Sequence, residues 1–453
     1  MKLNPYFPNS VIGIRPADSV SSVKPFDPET TGSAQFRIPA AVTLSDGTIV
    51  TAADARWNTC ADGCGLDTVI STSEDGGSTW HSTYANYLGD NGNSVNVYST
   101  AFIDPCLLAK DDVIYLLVDL WPGGVALNSS KFRPIPSTGY DETGHLLLRG
   151  YTDLEFNYHL GDFDENGWAK IIHINGNEVP GYTVDRWFNL YWHGEDIHSN
   201  LFYYTAPYRV CPTSFLYLTK SDDKGKTWSA PFMLNPMVKN TSEPFYGIGP
   251  GRGLVTASGR MMFPCYYYNR GEQGMSFIFS DDGEHWKRTP TLGFNESSEA
   301  QLTELSDGTI RAFFRNWKSR LCWADAHYNG ENYDWDGITE SEAVLSGRAS
   351  NCQIAALRHS SSIDGCDGLC AACPANPGQR TDSGRYGGMI HTFLYDPASK
   401  ETRLRKCTPV NGADDFYGYS CLTELCDGSV GLIYESESDM NFTWKAFPFY
   451  GLI

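Results

Sequence analysis

The sequence predicts an all-β fold, a β-propeller, and three observations carry the prediction. The first is composition. The chain of 453 residues holds 44 Gly and 24 Pro, and its 26 Tyr, 23 Phe and 12 Trp raise the aromatic share to 13%. Charged residues make up 19%, below the ordinary share of about 25%. Such a chain is rich in turns, has ample apolar material for a core, and is neither disordered, collagen-like nor coiled-coil. The second observation is a repeated Asp-Gly hairpin. The third is an independent repeated turn, and no long helical pattern competes with either.

The first repeat is Ser73-Glu74-Asp75-Gly76-Gly77-Ser78-Thr79-Trp80. It returns as Ser221-Asp222-Asp223-Lys224-Gly225-Lys226-Thr227-Trp228, and shortened as Ser280-Asp281-Asp282-Gly283-Glu284-His285-Trp286. Each copy follows an apolar run such as Phe215-Leu216-Tyr217-Leu218. Asp and Gly supply the turn, and Trp opens the next strand as an aromatic plug. The second repeat is Leu-x-Asp-Gly-x-aliphatic, at Leu44 to Ile49, Leu305 to Ile310 and Leu425 to Val430, with a version lacking the Asp at Ala257-Ser258-Gly259-Arg260-Met261. Each is a tight turn into a strand.

Two hairpin types recurring along the chain imply four-stranded blades, whose radial closure hides most sheet edges. At roughly 150 residues per domain the length alone would suggest about three domains. The repeats reduce that to one six-bladed β-propeller with a β-rich insertion in one blade. The expected divisions are an N-terminal extension over 1–30, the propeller over 31–453, and an inserted excursion over 126–208, where no hairpin copy falls and polar turns alternate with aromatics.

The net charge of −20 argues against nucleic acid and anionic membranes as partners. It also weighs, at first sight, against an acidic substrate. No segment is long and apolar enough to span a bilayer; the most apolar run, Val113 to Trp121, is broken by Asp119. The N-terminus has no apolar signal region, so the chain reads as cytoplasmic or as the trimmed form of a secreted protein. Of 13 cysteines, an odd number, most sit singly in apolar runs and read as small core residues. Cys366, Cys370 and Cys373 admit a zinc reading, but no fourth ligand stands at suitable spacing, and a small-residue strand is the simpler reading. Cys60 and Cys64 flank Asp62 and are expected to be bridged in an oxidising compartment and free in a reducing one.

No phosphate loop, dinucleotide fingerprint, nucleophile elbow or zinc helix is present. Composition and periodicity alone therefore stop at an acidic propeller with a ligand site on its axis. Phe36-Arg37-Ile38-Pro39-Ala40, followed by the Asp-Gly-Trp hairpins, resembles the bacterial-type sialidase (neuraminidase) family from about Ser33 to Trp444. That resemblance implies a six-bladed propeller that cleaves terminal sialic acid from glycoproteins, glycolipids or oligosaccharides, with no metal and no cofactor.

The resemblance also implies roles, motif by motif. Arg37 is similar to the first carboxylate-binding arginine, Arg315 to the second and Arg385 to the third. Arg56 stands where the family contacts the sugar's 4-position, and Asp62 where it places its acid/base. Ile103 and Asp104 resemble a pair lining the pocket near the 4-hydroxyl and N-acetyl group. Glu299 resembles the glutamate base and Tyr419 the nucleophile. Arg380, Tyr417 and Glu296 compete for the third arginine, the nucleophile and the base. Three arginines suit a carboxylate on the anomeric carbon through charge-assisted, bidentate hydrogen bonds. A tyrosine nucleophile avoids the repulsion a carboxylate would meet there, a known exception to the two-carboxylate scheme. Free Tyr ionises near pH 10, so Glu299 is expected to act as its base, with nearby arginines favouring phenolate.

The expected reaction is retaining exo-α-sialidase hydrolysis through a covalent tyrosine intermediate. A close alternative is an intramolecular trans-sialidase releasing anhydro-sialic acid. Two other classes are a catalytically dead sialic-acid lectin and a purely structural propeller. Asp75, Asp223 and Asp282 read as turn formers, because repetition in several blades suits architecture.

Overall fold

Each Asp-Gly-Trp hairpin turns on one hydrogen-bond pattern. Asp75 Oδ1 accepts from the Ser78 and Thr79 amides at 3.0 and 2.9 Å and from Ser73 Oγ at 2.8 Å. Asp223 and Asp282 repeat the pattern on Thr227 and Ser221, and on Glu284, His285 and Ser280. The serine oxygen accepts in turn from a glycine amide at 2.8 Å in all three copies. The indoles of Trp80, Trp228 and Trp286 donate to that glycine's carbonyl, and the rings are 0%, 5% and 3% exposed. Hydrogen bonds from Thr79 and Ser73 hold the Asp75 carboxyl down at about 2. These aspartates serve their turns.

The second repeat is equally uniform. The amides of Leu44, Leu305 and Leu425 donate to the carbonyls of Thr48, Thr309 and Ser429, and each turn's glycine donates back. Those glycines have φ of 89°, 85° and 77°, a left-handed conformation that a side chain would strain.

The computed structural model describes residues 23–57, 61–63, 65–88, 98–127, 133–293, 295–437 and 441–453. Cys60, Cys64 and most of the expected 1–30 extension lie outside these residues. Within them the propeller strands form six successive antiparallel groups, numbered here as sheets, of which the first two are joined by the parallel pairing of Leu66 with Ala101. The first comprises Gln35–Thr43, Ile49–Arg56, Leu66–Ser73 and His81–Asn86; the second Ala101–Lys110, Val113–Trp121, Phe215–Ser221 and Phe232–Met233. The third is built on Phe245–Ile248, Met261–Asn269 and Glu272–Ser280, and the fourth on Ala300–Glu304, Ile310–Phe314 and Arg320–Tyr328. The fifth holds Ala355–Ile363, Cys366–Pro374, Gly388–Asp396 and Glu401–Pro409, and the sixth Ser420–Glu424, Ser429–Glu435 and Phe442–Pro448.

The inner strands touch in a cycle. Gln35–Thr43 meets Ala101–Lys110, which meets the third sheet, and so on until Ser420–Glu424 returns to Gln35–Thr43. The apolar clusters follow the same cycle, each lying between adjacent sheets. Phe313, Trp323 and Phe393 pack between the fourth and fifth, Tyr417, Leu422 and Leu432 between the fifth and sixth, and Phe36, Val69 and Ile433 between the sixth and first. This closed ring is a β-propeller. At closure Trp80 meets Trp444 edge-on at 5.5 Å.

Between Trp121 and Phe215, two neighbouring strands of the second sheet, the chain leaves to build two small sheets. One carries Leu147–Gly150, Tyr158–Leu160, Ile171–His173 and Tyr208–Val210. The other carries Trp168–Ala169, Tyr182–Asp185, Asn189–Trp192 and Glu195–Asn200. Phe188, Leu190 and Phe202 of this excursion share a core with Phe102 and Phe215 of the second sheet.

Candidate active site

The propeller's topology brings equivalent strand ends together. Tyr419 and Glu299 each sit one residue before the innermost strand of their sheet. Glu435 ends the second strand of the sixth sheet, and Arg315 follows the second strand of the fourth. The Arg315 amide donates to the Glu299 carbonyl at 2.9 Å, and the Glu435 amide to the Tyr419 carbonyl at 2.9 Å. These ends surround a cavity of about 300 Å³ lined by Arg37, Asp62, Ile103, Asp104, Glu299, Arg315, Arg385 and Tyr419. A second cavity, about 320 Å³, opens at the opposite ends of the same inner strands. Arg252, Glu304, Arg358 and Glu424 line it, and among the described residues no tyrosine does.

Two bulges aim side chains into the first cavity. The strand pairing slips between Arg37 and Ala40, and again between Ile103 and Cys106. Ile38 and Asp104 each take φ of 62°. A branched residue there is a real outlier and signals strain held by its surroundings. A carboxylate does the holding in both places: the Ile38 amide donates to Glu435 at 3.0 Å, and the Asp104 amide to Asp54 at 3.0 Å.

Tyr419 is 5% exposed, and its Oη lies 2.6 and 2.8 Å from the two oxygens of Glu299. Arg315 Nη1 donates to the same Oη at 2.9 Å and to Glu299 at 3.0 Å. The guanidiniums of Arg37 and Arg385 stand 5.2 and 5.1 Å from the centre of the Tyr419 ring. Burial, then the negative Glu299, push the phenol well above its ordinary value; Arg315 and Arg385 favour phenolate, as expected, but do not offset them. The resting group is therefore a neutral phenol.

Asp62 stands at the cavity mouth with 56% of its side chain exposed. Burial of its inner part opposes ionisation, but Arg56 and Arg37 outweigh it and hold the carboxyl below the usual range. Arg56 departs from its expected place. It is fully buried, is not among the residues lining the cavity, and donates to Asp54 and Asp62 at 2.8 Å each. A buried guanidinium between two carboxylates is held by them. Burial lifts Asp54 to about 7, and burial with the neighbouring Asp54 raises Asp104 well above its ordinary value.

The competing residues lie elsewhere. Arg380 stacks on Tyr386 at 3.8 Å and pairs with Asp382. Tyr417 is fully buried and stacked on Tyr434 at 4.9 Å. Glu296 pairs with Lys318. None of the three lines the cavity. Cys370 and Cys373 face different cores from one strand, so they cannot share a metal ion.

Comparison with known proteins finds sialidases. A sequence profile of the BNR repeat-like domain matches residues 162–362. The anhydrosialidase of Macrobdella decora is 27% identical over 90% of this chain, and Sialidase B of Streptococcus pneumoniae 26% over 90%. The chain spans only 58% and 62% of those relatives' lengths. The crystal structure of an intramolecular trans-sialidase from Ruminococcus gnavus, solved with oseltamivir carboxylate, superposes with a TM-score of 0.81. That match is 26% identical and covers 93% of this chain and 96% of the other. The chain thus resembles sialidases in sequence over nine-tenths of its length and shares their fold.

In this sialidase-like propeller, the sequence does not mark the residues that support the site. Glu435 is the main one. It accepts from Arg37 Nε at 3.1 Å, from the Ile38 amide and from the Tyr419 amide, tying the first arginine to the phenol's backbone. The Arg37 guanidinium offsets the cost of its burial and holds it ionised, below its ordinary value. Asp54 does the equivalent for Asp104 and Arg56. The cavity's far wall is aromatic: Trp121 stacks on Phe245 at 5.5 Å, and Tyr266 meets Phe245 at 5.0 Å.

Proposed function

We propose that the protein is an exo-α-sialidase acting on terminal sialic acid of glycoconjugates, with retention through a covalent Tyr419 intermediate. One observation carries the reading: a buried phenol hydrogen-bonded to Glu299 and Arg315 inside a cavity that also presents Arg37 and Arg385. Arg37, Arg315 and Arg385 hold the substrate carboxylate and orient the anomeric carbon over Tyr419 Oη. Glu299 accepts the phenol proton while Oη attacks, which spares the enzyme a free phenolate. Asp62 protonates the departing glycosidic oxygen and then deprotonates the water that releases the sugar. Asp104 and the aromatic wall meet the sugar's polar and acyl substituents. Turnover of a fluorogenic sialoside, lost in Tyr419→Phe, tests the assignment; undiminished turnover in that variant would refute it.

The trans-sialidase chemistry named for the Macrobdella and Ruminococcus relatives supports a second reading. There a hydroxyl of the bound sugar, in place of water, attacks the tyrosyl intermediate and yields an anhydro sugar. The two products differ by the mass of one water, so mass spectrometry of the released sugar separates them.

A further inference from the structure

We propose a second, anion-binding subsite beside the catalytic cavity that takes a negatively charged group on the leaving part of the glycan. The inference rests on the sialidase reading. A separate cavity of about 310 Å³ shares Leu127 and Tyr268 with the catalytic one, so those two side chains form the partition between them. Arg133 and Arg270 line it, together with Pro134 and Pro136, and among the described residues no acidic side chain does. Neither guanidinium makes a hydrogen bond or ion pair among the described residues. In a chain of net charge −20, two unpaired cations facing one acid-free hollow form a local field of opposite sign.

Position links this hollow to the departing group. Asp62, which protonates the leaving oxygen, is followed by Gly63, and a Cβ on Gly63 would lie 2.4 Å from that of Ala126. The acid therefore rests against the segment that reaches the partition at Leu127. The hollow lies on the acid's side of the cavity, where the rest of the glycan emerges. Its walls are preorganised. Prolines fix the backbone of 134 and 136. The Ile135 amide donates to the Pro212 carbonyl at 2.9 Å, and the Ser137 amide to the Glu243 carbonyl at 3.3 Å. Arg270 occupies, with Gly271, a two-residue hairpin turn at φ of 52° and 97°, where Asn-Gly is the favoured pair. The turn itself gives no reason for an arginine.

The fitting ligand chemistry is a carboxylate or sulfate one sugar beyond the scissile bond. Two sources supply it, a second sialic acid or a sulfated sugar. The test compares sialyllactose with α2,8-linked disialyllactose and with sulfated sialyllactose, in the wild type and in Arg133→Gln/Arg270→Gln. The wild type should prefer at least one anionic substrate by about tenfold in kcat/KM, and high salt should erase that preference. The double variant should lose the preference and keep its rate on plain sialyllactose, which also reports its folding. The preferred arm identifies the source. Equal wild-type rates on all three substrates, or a preference undiminished in the double variant, would overturn the subsite and leave the sialidase reading standing. No turnover of any sialoside by the wild type would overturn that reading and the subsite with it.

Discussion

Arg385 offers the sharpest separation of function from stability. Its guanidinium makes no hydrogen bond or ion pair among the described residues; it lies 5.1 Å from the Tyr419 ring and faces Arg37 as a like charge. Arg37, by contrast, is tied to Glu435. Replacing Arg385 by Gln therefore removes no hydrogen bond from the resting protein; it relieves the repulsion from Arg37 and gives up the attraction of Glu435 and the contact with the Tyr419 ring. Stability should fall by no more than about 1 kcal/mol. The same change removes a charge-assisted contact to the substrate carboxylate. Each hydrogen bond to a charged group contributes about 1.5–3 kcal/mol, so a lost bidentate pair lowers kcat/KM by about 100-fold or more. Thermal denaturation and steady-state kinetics on a fluorogenic sialoside read the two effects. A clear drop in melting temperature with kcat/KM nearly unchanged would show Arg385 to be structural and refute the reasoning.

Other predictions concern the base, the acid and the frame. Glu299→Gln should lower kcat by about 100-fold or more, since general-base help contributes about 10²–10⁴; wild-type kcat in that variant would exclude Glu299 as the base. Asp62 must carry a proton to act as acid, and Arg56 and Arg37 hold its pKa down. Activity should therefore fall as pH rises, and Arg56→Gln should move that basic limb of kcat/KM to higher pH; an unmoved or lowered limb would contradict the role of Asp62. Trp286→Ala should cost about 3–5 kcal/mol by denaturant titration, because a fully packed plug is lost. Its kcat should hold at wild-type level below the melting point, and a selective loss of kcat would place that blade in the chemistry.

The propeller was legible because its turns are local. The three Asp-Gly-Trp hairpins and the Leu-x-Asp-Gly turns carry their own hydrogen-bond partners within a few residues, so a repeat in the sequence is a repeat in space. Eight of the nine expected site residues reach one cavity because motif resemblance marked their strand ends. Glu435 carried no such mark. Its partner Arg37 lies 398 residues away, and only ring closure brings the first and sixth sheets together. The burial of Arg56 is illegible for a related reason: Asp54, which shares it with Asp62, gives no signal in the sequence. The net rise of the Tyr419 pKa is not legible in the sequence, because burial is a property of the assembled cavity. The net charge proved equally uninformative, since Arg37, Arg315 and Arg385 converge inside an acidic shell.

The central claim is that Tyr419 forms the covalent bond to the sugar. Incubation with 2,3-difluorosialic acid, followed by proteolysis and mass spectrometry, tests it most directly. The account predicts a sugar adduct on the peptide containing Tyr419, located at the phenol oxygen and absent in Tyr419→Phe. An adduct on Glu299 or Asp62, with Tyr419 unmodified in an enzyme that turns over sialosides, would contradict it.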